Sequence, residues 1–226
     1  LPIPPKMKGQ TARRMFLRNR LKPTLEWLTS VRLDMLLHEN HDIEVHLTTP
    51  GATNPIVAPA KLPISGPSTG THQAVLTVLK EIIAEDSSDQ LELKLSDRRT
   101  RILGAIISRN GTVLKEIRDL LSLSAGESAL FCMFAAIILD ADLAGIPFAD
   151  TAELRGIVLI DEADLHLHLA LQHRALPRLL RLFPKIQFIL SAHSPLVVLG
   201  LESQFGSDGF LTLEMPSGTP INAECY

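Results

Sequence analysis

Hydrophobic and polar positions alternate between two periods along this chain. From residue 11 to 38 the pattern is helical: Pro23 fits a first turn, and Leu25, Leu28, Val31 and Met35 form one stripe. A second helix is expected over 73–85, with Val75, Leu76, Leu79, Ile82 and Ile83 inward. Leu91-Glu-Leu-Lys-Leu95 alternates as a half-exposed strand, 102–107 reads as another, and Asn110-Gly111 signals a tight turn. The stretch 128–143 is apolar nearly all round and predicts a buried helix. Two short runs, Ile157 to Ile160 and Ile186 to Leu190, fit strands buried on both faces of a parallel sheet. Between them a helix over 166–182 should bury Leu169, Leu176, Leu180 and Phe183, and Pro177 should kink or split it. A short helix ending near Gly200, a strand over 209–214 and a turn at 216–218 complete the pattern, and no internal repeat is evident. Prolines at 50, 55, 59, 63 and 67 exclude helix or central strand from 48–71, which reads as an extended insert.

Polar residues become informative where these runs stop. Ile160 leads directly into Asp161 and Glu162 at a strand's carboxyl end, where α/β sheets place their ligands. Two adjacent acids there can divide labour, one holding Mg²⁺ through its water shell and the other polarising a water. Ser124 and Glu127 have capping-box spacing, and the same helix start, with Gly126, offers backbone N–H groups to a phosphate. The second run ends in Ser191-Ala-His193-Ser194-Pro195, whose histidine either caps the turn or holds a terminal phosphate. His38, His41 and His46 lie close in sequence, but their mixed spacing without cysteine favours a polar connection over a metal site. His166 and His168 read as capping or dimer-contact residues.

The order Leu-Ser-x-Gly-Glu, four apolars plus Asp-Glu, then strand plus Ser-x-His-Ser-Pro resembles the ABC-type ATPase head. More narrowly it resembles the branch holding SMC-like, RecF-like and OLD-family (overcoming-lysogenisation-defect) ATPases, over about residues 115–215. The resemblance implies an α/β P-loop NTPase fold with a mainly parallel core sheet. It assigns 123–127 to the signature motif, 157–162 to Walker B, the stretch from Asp164 to His168 to the D-loop, and His193 to the switch histidine. By the same resemblance Asp161 binds Mg²⁺, Glu162 activates the hydrolytic water and His193 senses the γ-phosphate. Ser124, Ala125, Gly126 and Glu127 would meet ATP held by an opposite subunit, with Asp164 at the nucleotide side, in a homodimeric ATP sandwich.

One departure stands against these matches. No G-x-x-x-x-G-K-[ST] occurs, and Gly66-Pro-Ser-Thr-Gly70-Thr71 lacks both the lysine and the spacing. The phosphate-cradling loop is therefore expected upstream of these residues, and this chain alone is expected to bind ATP poorly. A helical and hairpin lobe over 1–114 and the C-terminal half of the ATPase core over 115–226 are the expected units.

Composition adds bounds. Of 226 residues 46% are hydrophobic, enough for a core, and no apolar run reaches the roughly 18 residues of a membrane span. Net charge is −3, so DNA binding has no global electrostatic drive. Basic clusters stand at Arg13 to Lys22, at Arg98, Arg99 and Arg101, and on one helical face at Arg174, Arg178 and Arg181; these read mostly as solvated faces. Two cysteines, Cys132 and Cys225, fit a cytoplasmic setting. The resemblance to OLD-family ATPases implies ATP hydrolysis controlling a DNA-directed effector such as an OLD-like nuclease, on the same chain or a partner, in phage defence. Two rivals share the motifs: a non-hydrolysing, nucleotide-gated dimerisation module, and a DNA-repair or chromosome-organising head.

Overall fold

The computed structural model describes residues 20–39, 42–47, 58–63, 66–95 and 102–221, with 42–47 and 58–63 as backbone pairing only. Helix α1 (Leu21–Asp34) ends in a wider turn over Met35–Glu39. Strands β1 (Asp42–Leu47) and β2 (Ala58–Pro63) form an antiparallel pair. Helix α2 (Pro67–Ile83) leads to an antiparallel meander of β3 (Gln90–Leu95), β4 (Leu103–Arg109) and β5 (Thr112–Ile117). Helix α3 (Ala125–Leu143) precedes β6 (Gly156–Ile160), α4 (Leu176–Arg181) and β7 (Ile186–Leu190), and β6 and β7 pair in parallel. Helix α5 (Pro195–Phe205) and the hairpin β8 (Thr212–Glu214), β9 (Thr219–Ile221) follow.

Most predicted elements are present, with shifted ends. Helix α2 starts inside the proline-rich stretch, because Pro67 occupies the first turn, where no N–H is needed. Helix α3 begins at Ala125, three residues before the apolar run, since Ser124 supplies its cap. Helix α5 runs past Gly200 to Phe205; Gly200 sits so close to His173 that an added Cβ would collide with its carbonyl. Residues 11–19 of the helical stretch expected over 11–38, Arg98 to Arg101, His41 and Cys225 lie outside the described residues.

The helix expected over 166–182 is corrected at its start. It begins at Leu169, because His166 has φ 63 and closes the preceding turn, so Leu169 is exposed rather than buried. The expected division at Pro177 is present: the helical path changes type at Leu176, one residue before the proline. A wide turn over Leu171–Ala175 precedes it, with Leu176 N–H donating to Leu171 O, so the ring falls in the first turn of α4.

One core runs from Leu25 of α1 through α2, α3 and the meander to Val197 of α5. Its aromatic centre is Phe134, Phe183 and Phe188, with centroids 5.8–6.3 Å apart. This cluster joins α3, the end of α4 and β7. The expectation that β6 and β7 are buried on both faces does not hold. Val158, Ile160 and Phe188 pack on the core, whereas Ile157, Leu159 and Ile189 are 67%, 76% and 51% exposed. Among the described residues the sheet has only these two strands, and helices cover one face of it.

Candidate functional site

Parallel register sets Ile160 beside Leu190, so the next residues, Asp161 and Ser191, emerge side by side. The Ser191 hydroxyl donates to Asp161 Oδ1 at 2.6 Å and accepts from the Glu162 amide at 2.8 Å. The backbone ladder continues through them: Ser191 N donates to Ile160 O at 2.9 Å, and Ala163 N donates to Ser191 O at 2.8 Å. Glu162 has φ 52, a left-handed conformation costing a non-glycine residue on the order of 1 kcal/mol or more. That twist turns the chain out of the strand and leaves both acids exposed at the sheet end.

Asp164 joins this turn to the next loop. Its Oδ2 accepts from the amides of His193 at 3.0 Å and Ser194 at 2.8 Å. His193 is thereby fixed through its backbone, while its ring is exposed and makes no hydrogen bond among the described residues. Ser194 caps α5, accepting from Leu196 N at 3.3 Å. His168 caps the helix start, its Nδ1 accepting from Ala170 N at 3.4 Å.

The start of α3 abuts the same loop. Ser124 and Glu127 form the reciprocal capping box: Ser124 N donates to Glu127 Oε2 at 2.8 Å, and Glu127 N donates to Ser124 Oγ at 3.3 Å. Ser124 and Ala125 are exposed and Gly126 is buried. A Cβ on Gly126 would stand 3.0 Å from His166 O and 3.5 Å from Leu167 Cα, so the glycine permits close packing of helix on loop.

Asp161, Glu162, Asp164 and His193 therefore gather at one sheet end, with Ser124–Glu127 against the loop behind them. Two contributors escaped the sequence reading. Ser191 was legible in principle, since equal-length parallel strands place it opposite Asp161. Gln172, which donates from Nε2 to Leu167 O at 2.9 Å, gave no signal that set it apart from the other polar residues of its helix. Among the described residues no group of three or more His, Cys, Asp or Glu forms a ready cation cage. A single carboxylate with one oxygen held by Ser191 suits Mg²⁺, which keeps waters and takes few protein ligands. A recess of about 330 Å³ on the meander, lined by Lys94, Gly104, Glu116 and Arg118 among others, contains none of these residues. No described helix is long and apolar enough to cross a membrane.

Comparison with known proteins gives a family match over residues 77–199, described as "AAA domain, putative AbiEii toxin, Type IV TA system". The chain is 36% identical over 127 residues to the Retron Vc95 probable ATPase of Vibrio cholerae, covering 56% of this chain and 24% of that protein. It is 38% identical over 102 residues to the Retron Ec83 probable ATPase of Escherichia coli, covering 45% and 18%. The Septu protein PtuA of Bacillus mycoides is 38% identical over 81 residues, covering 32% and 11%. The chain thus spans a quarter or less of the length of these relatives. A solved SMC ATPase, studied for ATP-driven dimerization and DNA-stimulated activation, aligns with 66% of this chain and 82% of its own at 18% identity and TM-score 0.33.

Proposed function

The chain belongs to the AAA-domain family whose model spans residues 77–199, and from that premise we propose that it carries part of the hydrolytic site of an ATPase. The observation that supports this reading is the pair Asp161 and Glu162, both exposed at the carboxyl end of β6 and locked in place by one hydroxyl, that of Ser191. Mg²⁺-ATP, when bound, supplies the γ-phosphoryl group and the cation that neutralises its charge. Asp161, with Oδ1 held by Ser191, offers its remaining oxygen to the Mg²⁺ water shell. Glu162 accepts a proton from the attacking water, its carboxylate swung out of the strand by the left-handed turn. His193, backbone-fixed by Asp164, presents its ring to the γ-phosphate.

The remaining partners belong to the same proposal. Ser124 to Glu127 face ATP of a second subunit, giving a homodimer through the nucleotide. For this the capping box opens, because Glu127 now occupies the Ser124 amide. The sequence contains no G-x-x-x-x-G-K-[ST], so the phosphate-cradling loop is contributed from outside these 226 residues. The relatives named for retron and Septu systems support a role in phage defence, and the OLD-like arrangement, in which the ATPase controls a nuclease acting on DNA, rests on the motif resemblance alone.

The test is turnover in the full-length protein. Glu162→Gln is expected to cut turnover about 10²- to 10⁴-fold while ATP remains bound, and Asp161→Ala to remove the Mg²⁺ dependence of binding. Wild-type hydrolysis by Glu162→Gln would reduce Glu162 to a structural acid. An inactive wild type that still dimerises with ATP would favour the nucleotide-gated module instead.

A further inference from the structure

Gln172 is 7% exposed, and nothing else polar on its helix is buried so deeply. The helix face it shares is apolar, with Ala175, Leu176 and Leu179 at 2% exposure or less. Its side-chain amide donates to Leu167 O at 2.9 Å and makes a longer contact of 3.5 Å to Asp164 O. Its own Oε1 has no donor among the described residues. A buried amide that leaves its carbonyl unmatched is held there by what its N–H groups do. Here they grip the backbone of one turn.

That turn is where the site's three motifs meet. Leu165 N donates to Glu162 O at 2.9 Å and Leu167 N to Asp164 O at 3.1 Å, so the turn begins at the second acid. The Asp164 carboxylate receives the amides of His193 and Ser194. Gly126 of α3 lies against His166 O and Leu167 Cα. Shifting the turn therefore moves the histidine loop and the surface on which α3 starts. Gln172 alone ties it to the helix behind by a side-chain hydrogen bond among the described residues.

We propose that Gln172 is a positioning residue that sets, through the 164–167 turn and the Asp164 carboxylate, where His193 stands relative to Asp161 and Glu162. This deepens the ATPase reading and rests on it for the effect on turnover, though not for the mechanical coupling. Displacing a reacting group by about 1 Å can cost on the order of 10²-fold, so a buried residue with no ligand contact can govern rate.

The test uses Gln172→Met, similar in length but without donors, in the full-length protein. Turnover is expected to fall about ten- to a hundredfold, with KM for ATP moving less than about twofold, because uniform binding is untouched. Amide hydrogen exchange is expected to accelerate at Leu167, His193 and Ser194 and to remain slow at Phe131 in α3. Unchanged exchange at His193 and Ser194 would overturn the coupling, even if turnover fell. If the wild type has no ATPase activity, the proposed function fails, and the exchange comparison still decides whether Gln172 positions His193. If Gln172→Met does not fold, Asp164→Asn reads the coupling from the other end. The Gln172 side-chain amide protons should then lose protection, and full protection would overturn the proposal.

Discussion

The antiparallel meander and the parallel pair β6–β7 are built on opposite principles. In the meander each determinant is close in sequence. Leu93, Leu103, Ala105 and Ile107 bury one face, and Lys94 and Glu116 pair at 3.8 Å on the other. The turn between β4 and β5 is Asn110-Gly111, with φ 51 and 79, the two positive angles of a type I′ hairpin. In the parallel pair the strands are joined through a crossover helix. One face rests on Phe134 and Phe183, and the loops at its carboxyl end are tied by bonds between residues 29 or 30 positions apart. The meander carries its own instructions. The pair borrows its geometry from the rest of the fold, and the acids cluster at the borrowed end.

If that contrast holds, Phe134→Ala should cost about 3–5 kcal/mol, because the ring is fully buried at the junction of α3, α4 and β7. Denaturant unfolding measures the loss, and native-state exchange should show β6–β7 opening before the meander. Simultaneous opening of both would erase the distinction.

Acid should act through α2. His72 of α2 is buried 3.4 Å from the Arg32 guanidinium, and burial, with Arg32 adding to it, pushes its pKa down to about 4. The folded state then binds fewer protons than the unfolded chain between the ordinary histidine value and that figure. Its stabilising contribution is full above about pH 6.5 and is lost as pH falls toward 4, by on the order of 2–3 kcal/mol. The difference in stability between wild type and His72→Gln, followed from pH 7 to 4, isolates this effect. A flat difference would show that His72 titrates normally.

Gly111→Ala should cost less, about 1–2 kcal/mol, since an alanine at φ 79 is strained although no atom lies in its way. A thermal midpoint equal to wild type would mean the hairpin adopts another turn. Smallest of all, Ser124→Ala should remove one capping bond of α3 and cost about 1 kcal/mol. A loss of turnover far beyond that stability change would show that the serine also meets phosphate.

Local signals explain what could be read without coordinates. Alternation at 91–95, the Asn-Gly turn, the apolar run of α3 and the Ser-x-x-Glu cap all appear where the residues place them. So do the two strand runs and the positions of Asp161, Glu162 and His193 at their ends. Short-range sterics and hydrogen bonds decide these features, and they act wherever the segment sits. Pairing order, burial and side-chain partners were decided elsewhere. Leu159 is as apolar as Ile160, yet only the tertiary structure leaves one at the surface and the other in the core. The helix divides at Pro177 through a wide turn over Leu171–Ala175, and Leu169 is exposed because His166 turns left-handed first. Ser191 beside Asp161, and Gln172 beneath the turn that holds His193, exist as partners only once distant segments are packed. Residue type fixed which groups could act. Long-range packing, whose free energy is shared among many contacts and written in no single segment, decided which of them meet.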